Sequence, residues 1–224
     1  MRDFEVIAFD IDGTLYPSWR LNLIIIPYVI SHLSFFRHYR KVRQILHRTA
    51  PLPDFFEYQA RLLSEEMKIT VDDAKNLIEK YVYQGLKPFF EKIPSFKYVQ
   101  EAFKNLKNAG YRLALLSDFP PEQKGNIWNL RDYCEVAFGT ESLGALKPSK
   151  YSFGVLAMKL KVKPEKILYV GNSLRYDVKG AKNAGMKTAI ILPFFRRLFG
   201  LKFKEADINF GSYRELEKII LEKK

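Results

Sequence analysis

Val6-Ile7-Ala8-Phe9-Asp10-Ile11-Asp12-Gly13-Thr14-Leu15-Tyr16 is an apolar run of β-type residues that carries two carboxylates into a Gly-Thr turn. In an extended chain, positions two apart point to the same side, so Asp10 and Asp12 converge on one spot. Carboxylates that close repel each other unless a cation or a shared proton lies between them. A hard divalent ion with oxygen ligands, Mg²⁺ above all, is the natural neutraliser. The pair also allows a division of labour, one carboxylate acting as nucleophile and the other moving protons. An Asp-x-Asp-Gly string also occurs in calcium loops, but an EF-hand needs an acid at its twelfth position. Counted from Asp10, that position is Leu21. An ordinary surface turn is the plain alternative for the string taken alone.

Later stretches share the same build, an apolar run ending in polar residues. Residues 111–116 read as a buried strand and lead into Ser117-Asp118. A short strand candidate at 136–138 is followed by Lys147-Pro148 at the head of a helix. Residues 167–170 lead into Gly171-Asn172, with Asp177 shortly after. Residues 188–192 read as one more strand, and 95–108 and 212–222 as helices, the last with Ser212 and Glu215 at capping-box spacing.

Together with Asp10-x-Asp12-x-Thr14, this ordered set resembles the four motifs of the haloacid dehalogenase-like (HAD) superfamily, over residues 1–16 and 94–224. The resemblance implies a Mg²⁺-dependent phosphatase that forms an aspartyl-phosphate. Asp10 would be the nucleophile, and Asp12 the proton donor and acceptor whose backbone carbonyl also meets the metal. Ser117 and Lys147 would hold the phosphoryl group, and Asn172 and Asp177 would complete the metal shell. Two positions depart from the family pattern. Asn172 stands where an acid is usual and offers an amide oxygen without charge, and Asp118 stands where Asn is common and receives no role. Dehalogenase members lack the second aspartate, because a halide leaving group needs no proton, so Asp12 favours a phosphatase.

Between the first motif and residue 94 the character is different. Residues 18–93 read as helical, interrupted by Pro27, Pro51, Pro53 and Pro88, with Asp54/Glu57 and Thr70/Asp73 as helix starts. A helical insertion at 17–93 resembles the family's cap, which selects the leaving group. Its most apolar part, 21–36, is shorter than a membrane span and is broken by Asn22 and Pro27. A packed cap helix is expected there. A membrane-surface segment, backed by the basic run Arg37-His38-Tyr39-Arg40-Lys41-Val42-Arg43, is the lesser alternative, and the same run could instead hold a second anionic group of the substrate. The stretch 194–204 interleaves Phe with Arg and Lys, and its aromatics are expected to pack beneath a solvated basic rim.

Strand-helix alternation around the insertion argues an α/β, Rossmann-like, mostly parallel sheet with a smaller all-helical cap domain. At 224 residues the chain suits one core with one insertion, and a 47% hydrophobic share is enough to fill it. The net charge of +12 is high, but no nucleic-acid motif accompanies it, so no specific nucleic-acid partner is expected. The single cysteine, Cys134, excludes an internal disulfide and fits a reducing cytoplasm; it is expected to be buried and inert. His32, His38 and His47 lack zinc-motif spacing. The expected partner is a small phosphorylated substrate. A phosphotransferase or sugar-phosphate mutase with the same nucleophile, or a weakly catalytic binding protein acting through its basic aromatic patches, are the alternatives.

Overall fold

Six strands form one fully parallel sheet in the order β3-β2-β1-β4-β5-β6 in a computed structural model that describes residues 3–222. They are β1 (Val6–Phe9), β2 (Arg112–Ser117), β3 (Cys134–Gly139), β4 (Ile167–Gly171), β5 (Lys187–Ile191) and β6 (Ile208–Phe210). The terminal residues of the expected core segments, 1–2 and 223–224, lie outside the described residues. All of β1 and β4 is buried, as expected for strands covered on both faces, and this is why they read as unbroken apolar runs. Alternate side chains feed two cores. Ile7, Phe9, Leu113, Leu115, Leu168 and Val170 pack against α6 (Val99–Asn108) and α10 (Tyr213–Glu222). Val6, Ala8, Ala114, Leu116, Ile167 and Tyr169 pack on the other face against α7 (Lys150–Leu160) and α8 (Lys179–Asn183). The sequence reading lacks β6, because three residues are too few for a period-2 signal.

The chain winds outward in both directions from β1, so the order reverses between β1 and β4. At such a switch point the loops leaving neighbouring strands part and leave a crevice beyond their carboxyl ends. Asp10 and Asp12 follow β1, while Asn172 and Asp177 follow β4, and Asp10 N–H donates to Val170 O at 2.9 Å to close the gap.

Between Tyr16 and residue 94 the described structure is helical: α1 (Ser18–Ser31), α2 (Leu33–Leu46), α3 (Phe55–Met67), α4 (Val71–Ile78) running into a π-helical turn, and α5 (Lys87–Phe90). Asp54 accepts from Glu57 N–H at 2.9 Å and Thr70 from Asp73 N–H at 3.1 Å, the two expected starts. Phe35, Tyr39, Val42 and Leu46 of α2 meet Phe55, Leu63, Ala74 and Ile78 in a third core. Truncating a fully buried member such as Leu63 to Ala would cost about 2–5 kcal/mol.

Three expectations about the apolar stretches are overturned, the last in part. Pro27 does not interrupt the first helix but sits inside α1, and the break comes at His32, where α1 and α2 meet at 116°. The His32 ring stacks on Tyr81 at 4.3 Å, which fixes that corner. Nor is α1 a buried helix: none of its residues is fully covered, although Leu21 touches the sheet core and Tyr28 meets Phe36 and Phe89. Three of the four aromatics of 194–204 differ in the same way: Phe194, Phe195 and Phe199, in and just after α9 (Phe194–Leu198), are more than half exposed. Phe203 does pack as expected, against Val178 and Ile190 with the Arg196 guanidinium over its ring at 4.0 Å.

Candidate active site

The loop after β1 delivers Asp10 with its carboxylate buried and doubly held. Thr14 Oγ1 donates to Oδ2 at 2.7 Å, and Lys147 Nζ donates to Oδ1 at 2.6 Å. The same ammonium donates to Asp177 Oδ1 at 2.7 Å, so one cation serves both carboxylates. Burial, opposed by Lys147 but reinforced by Asp177 and Asp12, pushes the Asp10 carboxyl up to about 7. Burial would lower Lys147, yet Asp10 and Asp177 carry its ammonium well above the usual range. Asp177 Oδ2 accepts from the backbone N–H of Asn172 at 3.1 Å and of Ser173 at 2.9 Å. Gly171 allows that packing, since a methyl there would run into the Asp177 side chain. At Gly13, with φ at +84°, a methyl would strike the Asn172 amide.

Asp12 sits in a second cluster beside the first. Tyr16 Oη donates to its Oδ1 at 2.7 Å, Ser117 Oγ donates to Oδ2 at 2.9 Å, and Lys124 Nζ lies 3.1 Å from Oδ2. Burial would raise this carboxyl, but Lys124, Tyr16 and Ser117 together hold it below the usual range. The Lys124 side chain is fully buried, its ammonium lying over the rings of Phe90 at 5.1 Å and Phe119 at 5.2 Å.

Asp10, Lys147 and Asp177 thus meet directly, and Ser117 touches Asp12. The hydroxyl of Ser117, expected to serve the phosphoryl group, is engaged by that carboxylate here. Asn172 joins from the side, with Oδ1 3.3 Å from Thr14 Oγ1. Asp118 turns to the loop that carries the lysine, accepting from Thr140 Oγ1 at 2.7 Å and from Lys147 N–H at 3.0 Å. Asp10, Asp12, Lys147, Asn172 and Asp177 line one cleft of about 380 Å³, which Arg43 and His47 enter from the helical layer. His47 Nδ1 is 2.7 Å from Lys147 O, and its ring packs on Tyr176 at 4.7 Å. Sequence reasoning assigned no role to Lys124 or His47, and met Arg43 only as the last member of the basic run 37–43. Nothing local marks one cation among 37 lysines and arginines, and each gains its place only by packing.

The chain's match to known proteins runs the length of this framework. The profile of the haloacid dehalogenase-like hydrolases matches residues 7–191, a span that includes the loops after β1, β2 and β4 and Lys147. The chain belongs to the haloacid dehalogenase-like hydrolase family. Among relatives, it is 28% identical to a glyceraldehyde 3-phosphate phosphatase of Pyrococcus furiosus, covering 96% of this chain and 89% of that protein. It is 27% identical to a phosphoglycolate phosphatase of Aquifex aeolicus, covering 84% of each. Its fold is similar to that of a HAD phosphatase from Thermococcus onnurineus, with a TM-score of 0.65 and 23% identity over 98% of both chains.

The donors in the cleft fit the Mg²⁺ that this family implies. Asp10 and Asp177 supply charged oxygens, Asn172 a neutral one, and hard oxygens are what Mg²⁺ takes. Three carboxylates, Asp10, Asp12 and Asp177, face only two ammonium groups, Lys147 and Lys124, leaving negative charge to be offset. Among the described residues no three His, Cys, Asp or Glu side chains form a ready metal set, and Asn172 brings an uncharged oxygen to the cleft.

Proposed function

We propose that this HAD-family hydrolase cleaves a small phosphate monoester through an aspartyl-phosphate on Asp10, with Mg²⁺ as cofactor. The observation that carries this reading is the buried Asp10 carboxylate, fixed from both sides by Thr14 and Lys147 at the wall of the cleft. The phosphatase relatives, which act on glyceraldehyde 3-phosphate and phosphoglycolate, support a small phosphorylated substrate. Asp10, Asn172 and Asp177, with the backbone carbonyl of Asp12, would hold the ion. When bound, Mg²⁺ supplies charge that offsets the phosphoryl oxygens and the crowded carboxylates.

An Asp10 oxygen forms a bond to phosphorus as the ester P–O bond breaks, and the leaving oxygen takes a proton from Asp12. Water then attacks the phosphoaspartyl group, Asp12 recovers a proton from it, and inorganic phosphate leaves. Lys147 holds the nucleophile and neutralises charge next to it. As it stands, Asp12 is kept ionised by Lys124, Tyr16 and Ser117, a state suited to the base half of the cycle. The acid half requires it to leave Lys124 and take up a proton. The helical segment 17–93 serves as the cap, with Arg43 and His47 at the leaving-group side of the cleft.

The test is phosphate release from a panel of phosphate monoesters with Mg²⁺, for the wild type and Asp10→Asn. The substitution keeps the shape and removes the nucleophile, so turnover should fall roughly 10³-fold or more. Equal rates in the two proteins would reject covalent catalysis by Asp10.

A further inference from the structure

We propose that the face built from α1 and residues 194–204 docks on an anionic lipid bilayer. A helix apolar on all sides is normally buried in a protein core or in a membrane. The sequence of α1, SWRLNLIIIPYVIS, is nearly such a helix, yet the folded chain leaves most of it exposed and fully buries none of its residues. Trp19, Leu23, Ile26 and Ile30 stand 46–64% exposed. The second stretch repeats the feature, with Phe194, Phe195 and Phe199 62–72% exposed. These are not isolated surface residues, since the two stretches meet. Pro17 and Trp19 from one side, and Pro193, Phe194 and Arg197 from the other, line a single cavity of about 950 Å³. Contiguous exposed apolar surface rimmed by polar groups marks an interaction site.

Charge selects the occupant. No acidic residue occurs between Asp12 and Asp54, while Arg20, Arg37 and Arg40 do. No acidic residue occurs between Asp177 and Glu205 either, a span that includes Arg196, Arg197, Lys202 and Lys204. Apolar and aromatic side chains in two stretches whose charged residues are all cationic match an interface of acyl chains under anionic headgroups. A second copy of this chain would bring the same cations against them, and at a net charge of +12 the two would repel. The helix lies on the bilayer rather than crossing it. Among the described residues no single helix is long and apolar enough to span, and the α1–α2 pair is bent by 116°.

Docked this way, Trp19 and Phe195 reach the acyl boundary, and Lys202 and Lys204 reach the headgroups. The cavity and the catalytic cleft share Asn172 in their walls, so the cleft lies next to the docked face. The experiment is cosedimentation of the full chain with vesicles of equal parts phosphatidylcholine and phosphatidylglycerol, compared with phosphatidylcholine alone. Binding is expected only to the anionic vesicles, weakening as salt is raised. Leu23→Glu with Ile26→Glu, and separately Lys202→Glu with Lys204→Glu, should each reduce partition roughly tenfold or more. All four side chains are exposed, so circular dichroism and phosphate release in the absence of vesicles should match wild type. Quenching of Trp19 by brominated lipid, measured in a Trp128→Phe background, reports whether α1 itself enters the interface. Absence of binding at low salt, equal binding to neutral vesicles, or wild-type binding by both variants overturns the proposal. So does a concentration-dependent dimer abolished by the same substitutions, which would put a second copy on this face.

Discussion

Replacing Arg43 by Met probes the contact that ties the helical layer to the sheet. Arg43 lies on α2, and its guanidinium pairs with Glu141, which follows β3 and whose side chain is fully buried. Tyr83 donates a second hydrogen bond to that carboxylate at 2.9 Å, and the guanidinium stacks over Phe119 at 4.5 Å. Removing the cation leaves a carboxylate without a counter-charge in a place water does not reach. Breaking a buried pair from one side costs about 3–5 kcal/mol, well above the ~1 kcal/mol of an exposed pair. For a chain of this size that is a fall in Tm of roughly 6–20 °C. Adding Glu141→Gln should restore most of the loss, because the amide can still accept from Tyr83 and carries no charge. The pH dependence has a definite sign. Burial already raises Glu141, and losing Arg43 removes the main opposing charge, so the folded carboxyl rises further above its unfolded value. A group raised in the folded state stabilises below its unfolded pKa, and that contribution is lost as pH rises toward the folded one. The single variant should therefore lie closest to wild type in mild acid and fall furthest behind at alkaline pH. Urea unfolding across pH measures all of this. A loss below about 1 kcal/mol at neutral pH, or a double variant no more stable than the single, would refute the buried-pair argument.

Gly171→Ala places a methyl against Asp177 and should lower activity far more than Tm, since the shift falls on the Lys147–Asp177 contact; a full-rate enzyme would show the loop can give way. Burial raises the Cys134 thiol to about 12, so it should resist alkylation in the native protein at neutral pH and react once urea unfolds the chain. Rapid stoichiometric labelling of the folded protein would contradict that. Asp54→Ala removes the side chain that accepts from Glu57 N–H at the start of α3 and should cost about 1 kcal/mol in urea unfolding; no change would mean the cap contributes nothing.

The features legible in the sequence are those set by short-range pattern. An apolar run four residues long, followed by Asp10-x-Asp12-Gly13-Thr14, specifies strand, turn and converging acids within a few residues, and the folded chain has a strand there with Thr14 on Asp10. The same holds for the buried runs of β2 and β4 and for the Asp54 and Thr70 caps. Partnerships across the chain that no motif carries were not legible, because they depend on which surfaces pack. Arg43 and Glu141 are 98 positions apart, and neither pattern announces the other. Lys124 resembles any other lysine until the fold encloses it beside Asp12. The apolar character of α1 was plain in the sequence, but periodicity records only that a helix prefers to leave water. Whether protein covers it is decided by the elements around it, and here the tertiary structure leaves that face uncovered.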